Sequence, residues 1–170
     1  YSKVILGTVQ FGLDYGIHGE KKTDYAEVEK ILSLASENSI DTLDTAMEYG
    51  RSESVLGEIG VSNWNIITKI SPLPAEIKDL NCWVKDRVFN SFDRLKVERL
   101  DTILLHNAND LIGRYADQLF KALFDLKENK LVSKIGVSVY SPKVLKKIQE
   151  RYPIDVVQAP FNILDRRIQN

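Results

Sequence analysis

The sequence predicts an α/β fold, a parallel (β/α)8 TIM-type barrel of which this chain supplies about the first six βα units. Three observations carry that prediction. Six short apolar runs of strand type alternate strictly with segments of helical period. Each run stops at a small, polar or ionisable residue, in turn Gly7 with Thr8, Asp44, Lys69, His106, Ser138 and Gln158. No linker or low-complexity stretch interrupts the alternation, so residues 1–170 read as a single barrel domain. Parallel strands that close into a barrel share one carboxyl-end face, which places the stopping residues on one rim and makes that rim the candidate site.

Each element has its own warrant. After the first strand, SKVILG, a helix opens at Asp24, with Glu27 three residues on as a capping box and Val28, Ile31, Leu32 and Ala35 on its apolar face. Asn38 ends it. The strand IDTLD follows, and Ser52 starts a helix that buries Val55, Leu56 and Ile59 and closes at Gly60. NIITK precedes a helix over about Asn81 to Leu95, with Val84, Val88 and Phe92 at four-residue steps. DTILLH precedes one near Ala116 to Asn129, which carries Leu119, Leu123 and Leu126. After SKIGVS, Ser141 and Pro142 form an N-cap and a first-turn proline, and that helix runs to about Arg151. Pro153 punctuates before DVVQ, and a further helix is expected to start after Asp165.

A closed parallel barrel needs eight such pairs and typically about 250 residues. Six strands would leave two apolar edges unpaired, so the chain is expected to be incomplete at its C-terminus. Tyr1 is not an initiator methionine, which implies residues that precede it or were removed.

Composition narrows the function. A hydrophobic share of 44% with nine glycines supports one sizeable core and argues against disorder. A formal net charge of −1, from 23 basic and 24 acidic residues, offers no footprint for nucleic acid or an anionic membrane, so the partner is a small molecule. Cys82 is the single cysteine, which excludes an internal disulfide and a cysteine metal cluster and fits the reducing cytoplasm. No apolar run reaches the roughly 18 to 20 residues needed to cross a bilayer.

Asp44, Tyr49, Lys69 and His106 combine an acid, a phenol, a cation and an imidazole at or just past strand ends. A phenol of ordinary pKa is a poor proton donor, and an adjacent ammonium is expected to lower it while Asp44 keeps that ammonium charged. His106 would hydrogen-bond the same substrate oxygen. Each residue also has a purely structural reading: an Asx-turn for Asp44, a solvated strand end for Lys69, a satisfied imidazole for His106 and loop packing for Tyr49. Trp64 and Trp83 read as packing residues, and Cys82 has no group to activate it. No G-x-G-x-x-G follows any strand, and the stretch from Phe11 to His18 reads as a glycine-hinged loop on the rim, with His18 exposed.

The segment Asp44-Thr45-Ala46-Met47-Glu48-Tyr49-Gly50-Arg51-Ser52-Glu53 resembles the DTAxxYGxSE signature of the aldo-keto reductase family, and Leu56-Gly57 continues it. Leu6-Gly7-Thr8 with Phe11-Gly12, Ile67-Thr68-Lys69, Leu104-Leu105-His106, Gly136-Val137-Ser138 and Val157-Gln158-Ala159-Pro160-Phe161-Asn162 extend the resemblance in order along the chain. It implies a carbonyl reductase that takes NADPH first and NADH as the alternative, with no metal. A small aldehyde, ketone or sugar carbonyl would accept hydride, with Tyr49 as general acid and Asp44, Lys69 and His106 completing a tetrad. It also implies cofactor contacts from Gly7 and Thr8 through backbone, from Asp44, and from Ser138 and Gln158 to the nicotinamide carboxamide. One departure stands out: Val139 occupies the position after the fifth-strand serine where members commonly carry asparagine. Two other readings stay open, a Schiff-base lyase or aldolase using Lys69 and a weakly active nucleotide-binding regulatory subunit. The substrate, the choice between NADP and NAD and the oligomeric state are not legible here.

Overall fold

A computed structural model of the chain describes residues 4–16 and 21–169. Six strands, β1 (Leu6–Gly7), β2 (Thr42–Asp44), β3 (Asn65–Ile70), β4 (Leu100–Leu105), β5 (Val132–Ser138) and β6 (Val156–Gln158), form one sheet in the order β1-β2-β3-β4-β5-β6. Every pairing is parallel, with Gly7 beside Asp44, Asp44 beside Ile67, Lys69 beside Leu104 and Ser138 beside Gln158. Sequential parallel order with a helix in each of the connections from β2 onward is the arrangement of successive βα units in a barrel.

The helices are α1 (Val9–Gly12), α2 (Tyr25–Glu37), α3 (Ser52–Ile59), α4 (Leu80–Leu95), α5 (Ala116–Glu128) and α6 (Pro142–Gln149). Their local causes are those the sequence offers. The Asp24 carboxylate accepts from the Glu27 amide at 2.9 Å and starts α2, which buries Val28, Leu32 and Ala35. Pro142 opens α6 at a position that needs no N–H. In α4 the cap is Asp79, which accepts from the Cys82 amide, so the helix starts one residue earlier than expected.

Alternation along the strands divides the core. On β3, Ile66 and Ile70 join the helix-facing cluster with Leu43, Ile103, Leu105, Ile135 and Val137, while Lys69 points to the opposite face. Trp64 and Trp83 pack against that cluster, as expected, and Cys82 is exposed. Among the described residues no helix is long and apolar enough to cross a membrane.

Three features depart from expectation. The loop expected at Phe11 and Gly12 opens with α1, a single turn too short to show a helical period. Residues 108–111 form a 3-10 turn after β4. Where a helix was expected to start after Asp165, the last described residues take the 3-10 turn Arg167–Gln169. His18 lies outside the described residues.

Candidate active site

Asp44, Tyr49, Lys69 and His106 come together at the carboxyl ends of β2, β3 and β4. Lys69 is 1% exposed, yet its ammonium has a partner for each of its three protons. It donates to Asp44 Oδ1 at 2.7 Å, to the Thr45 carbonyl at 3.0 Å and to Tyr49 Oη at 3.4 Å. Because the phenol oxygen accepts from Lys69, its own O–H is left to donate into the cleft. The ammonium lies 5.0 Å from the centre of the Tyr49 ring, and the His106 ring meets Tyr49 edge to face at 5.9 Å.

The electrostatics differ from expectation at Tyr49. Its pKa is pushed up to about 12, first by burial and then by the Asp44 carboxylate and the phenols of Tyr140 and Tyr15. Lys69 was expected to lower it, but Asp44, bound at 2.7 Å, offsets the field of the ammonium at the phenol. Burial also moves Lys69 down from its ordinary value, against the pull of Asp44. His106 is moved down by burial and by the Lys69 charge, with Glu48 and Asp44 opposing, so the neutral imidazole prevails at neutral pH.

The residues expected to touch cofactor are distributed unevenly. Gly7 is exposed at the end of β1, and a Cβ added there meets nothing within 4 Å. Ser138 lines a cleft of about 190 Å³ with His106, Asn107, Asn109, Tyr140 and Ser141, and Gln158 stands beside Ser138 in register. Thr8 has no free surface: its amide and hydroxyl both donate to the Asp44 carbonyl at 3.0 Å, and its carbonyl accepts from Ser52 Oγ at 2.9 Å. Its backbone therefore positions β2 and is not available to a ligand. Val139 is buried, with its amide bonded to the Gln158 carbonyl at 2.8 Å, so it offers the cleft no polar side chain.

Two clusters beneath the rim were not expected from sequence. Ser52 starts α3, as expected, and turns its hydroxyl inward to Thr8 and Thr45, so that three fully buried hydroxyls meet behind Asp44. Glu53, one residue on, is buried between α3, β3 and α4. It accepts from Thr68 at 2.6 Å, from Ser91 at 2.9 Å and from Arg94 Nε at 2.7 Å. The signal for it was present, since Glu53 precedes Leu56 and Gly57 by three and four residues and so shares their buried face.

Gly12 and Gly50 hold the Tyr49 loop in place. Gly50 has φ +56, and a Cβ on Gly12 would stand 1.8 Å from the Tyr49 carbonyl oxygen and 2.4 Å from the Ser52 amide. Both are backbone atoms that cannot step aside. We expect Gly12→Ala to displace the phenol and lower turnover about 100-fold, the cost of a 1 Å misplacement, while stability falls by about 1–3 kcal/mol. Steady-state kinetics beside a denaturant midpoint checks this, and unchanged turnover would show the loop free to adjust.

The sequence matches the Aldo/keto reductase family over residues 3–170. Among curated proteins it is 26% identical over 156 residues to YqkF, an uncharacterized oxidoreductase of Bacillus subtilis, covering 85% of this chain and 50% of that protein. It is 24% identical to the aldo-keto reductase YhdN of the same organism, covering 99% and 52%. A crystal structure of a putative aldo-keto reductase from Pseudomonas aeruginosa superposes with a TM-score of 0.80 at 26% identity, covering 97% of this chain and 65% of that one. The holo form of an aldo-keto reductase from Bacillus halodurans gives a TM-score of 0.77 at 24% identity, covering 98% and 56%, and bears on the fold alone. The chain spans about half the length of the curated relatives it matches.

Proposed function

The chain belongs to the aldo-keto reductase family, and on that premise we propose that the protein carrying it reduces a small aldehyde, ketone or sugar carbonyl with hydride from NADPH or NADH. The observation that supports this reading is the ammonium of Lys69 shared between Asp44 and Tyr49, which leaves the phenol O–H as the donor facing the cleft.

Bound nicotinamide supplies the hydride that forms the new C–H bond at the carbonyl carbon. The oxygen thereby gains the negative charge, and Tyr49 gives it a proton as the phenol O–H bond breaks. At a pKa of about 12 the transfer remains downhill, because an alkoxide is a stronger base than a phenolate. Lys69, 3.4 Å from Tyr49 Oη, then stabilises the phenolate without having to move. When Nε2 carries a proton, His106 would hydrogen-bond the substrate oxygen and fix it against Tyr49.

The residues present fit such a cofactor in part. The Ser138 hydroxyl and Gln158 amide stand side by side, a donor and acceptor set suited to a planar carboxamide, and Gly7 leaves open space at the rim. A Schiff base on Lys69 fits poorly, since a nucleophilic amine needs a free lone pair and access, and this one is buried with its three protons committed.

Fluorescence titration of the complete polypeptide with NADPH and NADH, followed by a panel of aldehydes, ketones and sugars, tests the reading. Saturable nucleotide binding with carbonyl-dependent oxidation is expected, and failure to bind either nucleotide overturns it. Preference between the two nucleotides comes out of the same titration.

A further inference from the structure

One nitrogen in the cleft has no partner. His106 Nδ1 is buried and makes no hydrogen bond, and among the described residues it is the one buried side-chain polar atom so placed. Glu48 Oε2 stands 3.4 Å from it, outside hydrogen-bond alignment, on a side chain that is 48% exposed. Without alignment the carboxylate still acts through its field: a negative charge 3.4 Å away favours a proton on Nδ1 over a bare lone pair. A neutral imidazole has one proton to place, and the charge beside one nitrogen decides which.

We propose that Glu48 is a positioning residue of this site, whose carboxylate keeps the imidazole proton of His106 on Nδ1 and so presents Nε2 to the cleft as an acceptor in the neutral ring and as a donor only in the imidazolium. The inference rests on reading the cleft as a carbonyl-reducing site. During reduction the imidazolium Nε2–H holds the carbonyl oxygen while the proton that forms the alcohol comes from Tyr49, so His106 ends the step unchanged. In the reverse direction the neutral Nε2 would accept from the alcohol O–H on binding, and that proton would then turn to the Tyr49 phenolate, with the hydride going to an oxidised nicotinamide if one is bound.

The charged and titratable groups around His106 are Asp44 on β2, Glu48 and Tyr49 in the loop after it, Lys69 on β3, and Tyr140 after β5, which lines the same cleft. Burial and Lys69 disfavour the imidazolium, and Glu48 and Asp44 favour it. Reductive kcat/KM is therefore expected to rise as pH falls below the ordinary histidine range, and alcohol oxidation to rise in the opposite direction. Glu48 sets where that crossover falls.

The chain has two histidines, so 15N NMR of the complete polypeptide, with His18→Asn for assignment, reads His106 alone. Above pH 7 the native protein is expected to show Nδ1 protonated and Nε2 bare. Glu48→Ala should move the proton toward Nε2 and lower the His106 midpoint by about one unit, the low end of what an opposite charge at this range does. The limb of reductive kcat/KM should move with it. A native ring protonated on Nε2, or the same tautomer and midpoint in both proteins, overturns the proposal. The two readings fail separately: failure of the complete polypeptide to bind either nucleotide, with the tautomer shift intact, removes the reductase reading and leaves the Glu48 contact standing. A dead Tyr49→Phe with no tautomer shift removes only the role of Glu48.

Discussion

Replacing Tyr49 by phenylalanine is expected to lower carbonyl reduction by about 100- to 10,000-fold, the range that a positioned general acid contributes. At 1.36 kcal/mol per decade this is about 3–5 kcal/mol of barrier. The change removes one oxygen and keeps the ring, so the edge-to-face contact with His106 survives. Nucleotide affinity should hold, because the groups proposed to grip the carboxamide are Ser138 and Gln158. Single-turnover oxidation of bound NADPH separates the two effects, and a rate within a fewfold of the native one would remove Tyr49 from the chemistry. The pKa of about 12 adds a second check. A phenol that holds its proton this tightly contributes no limb to the rate profile near neutrality, and its folded-state preference for the neutral form stabilises the fold below pH 10 and is lost as pH climbs toward 12.

Replacing Glu53 by alanine is expected to cost about 3 kcal/mol of stability with little direct effect on the reacting groups. The carboxylate is 2% exposed and serves Thr68 of β3 and Ser91 and Arg94 of α4. Without it, the two hydroxyls lose a charged acceptor in a site with no access to water, and the guanidinium loses its counter-charge. Arg94 is 35% exposed and can turn toward solvent, which holds the loss to the lower end of the range for a broken buried pair. In a domain of this size that corresponds to a fall in Tm of roughly 6–12 °C. Denaturant unfolding of Glu53→Ala, Arg94→Leu and the double variant checks the cause. The double variant should recover part of the loss, since removing both partners leaves no buried charge unpaired. An alanine variant as stable as the native protein would show that the cluster contributes nothing.

The rim was legible in sequence because strand ends are marked by a change of residue type. Runs such as NIITK and DTILLH end on an ionisable side chain, and parallel pairing then brings Asp44, Lys69 and His106 together whatever the loops do. Helix α2 was legible through Asp24 and α6 through Pro142, both local signals. What escaped depends on atoms far apart in the chain. Ser52 has the sequence appearance of a cap, and only the arrival of Thr8, 44 residues earlier, gives its hydroxyl a better partner. The direction of the Tyr49 pKa was misjudged for a related reason: sequence shows which charges are near, whereas the sign of the sum depends on how closely Asp44 embraces Lys69 and how much water remains. A single turn such as α1 carries no period to read.

The strict strand order has a consequence for how the chain is made. After the first pair forms, each new strand finds its neighbour already synthesised and in place. A nascent polypeptide leaving the ribosome can therefore add one βα unit at a time to a growing template. Among the six described strands each pairing closes only a short span of chain, and it is the outer edge of β1 that is left to wait for a later mate.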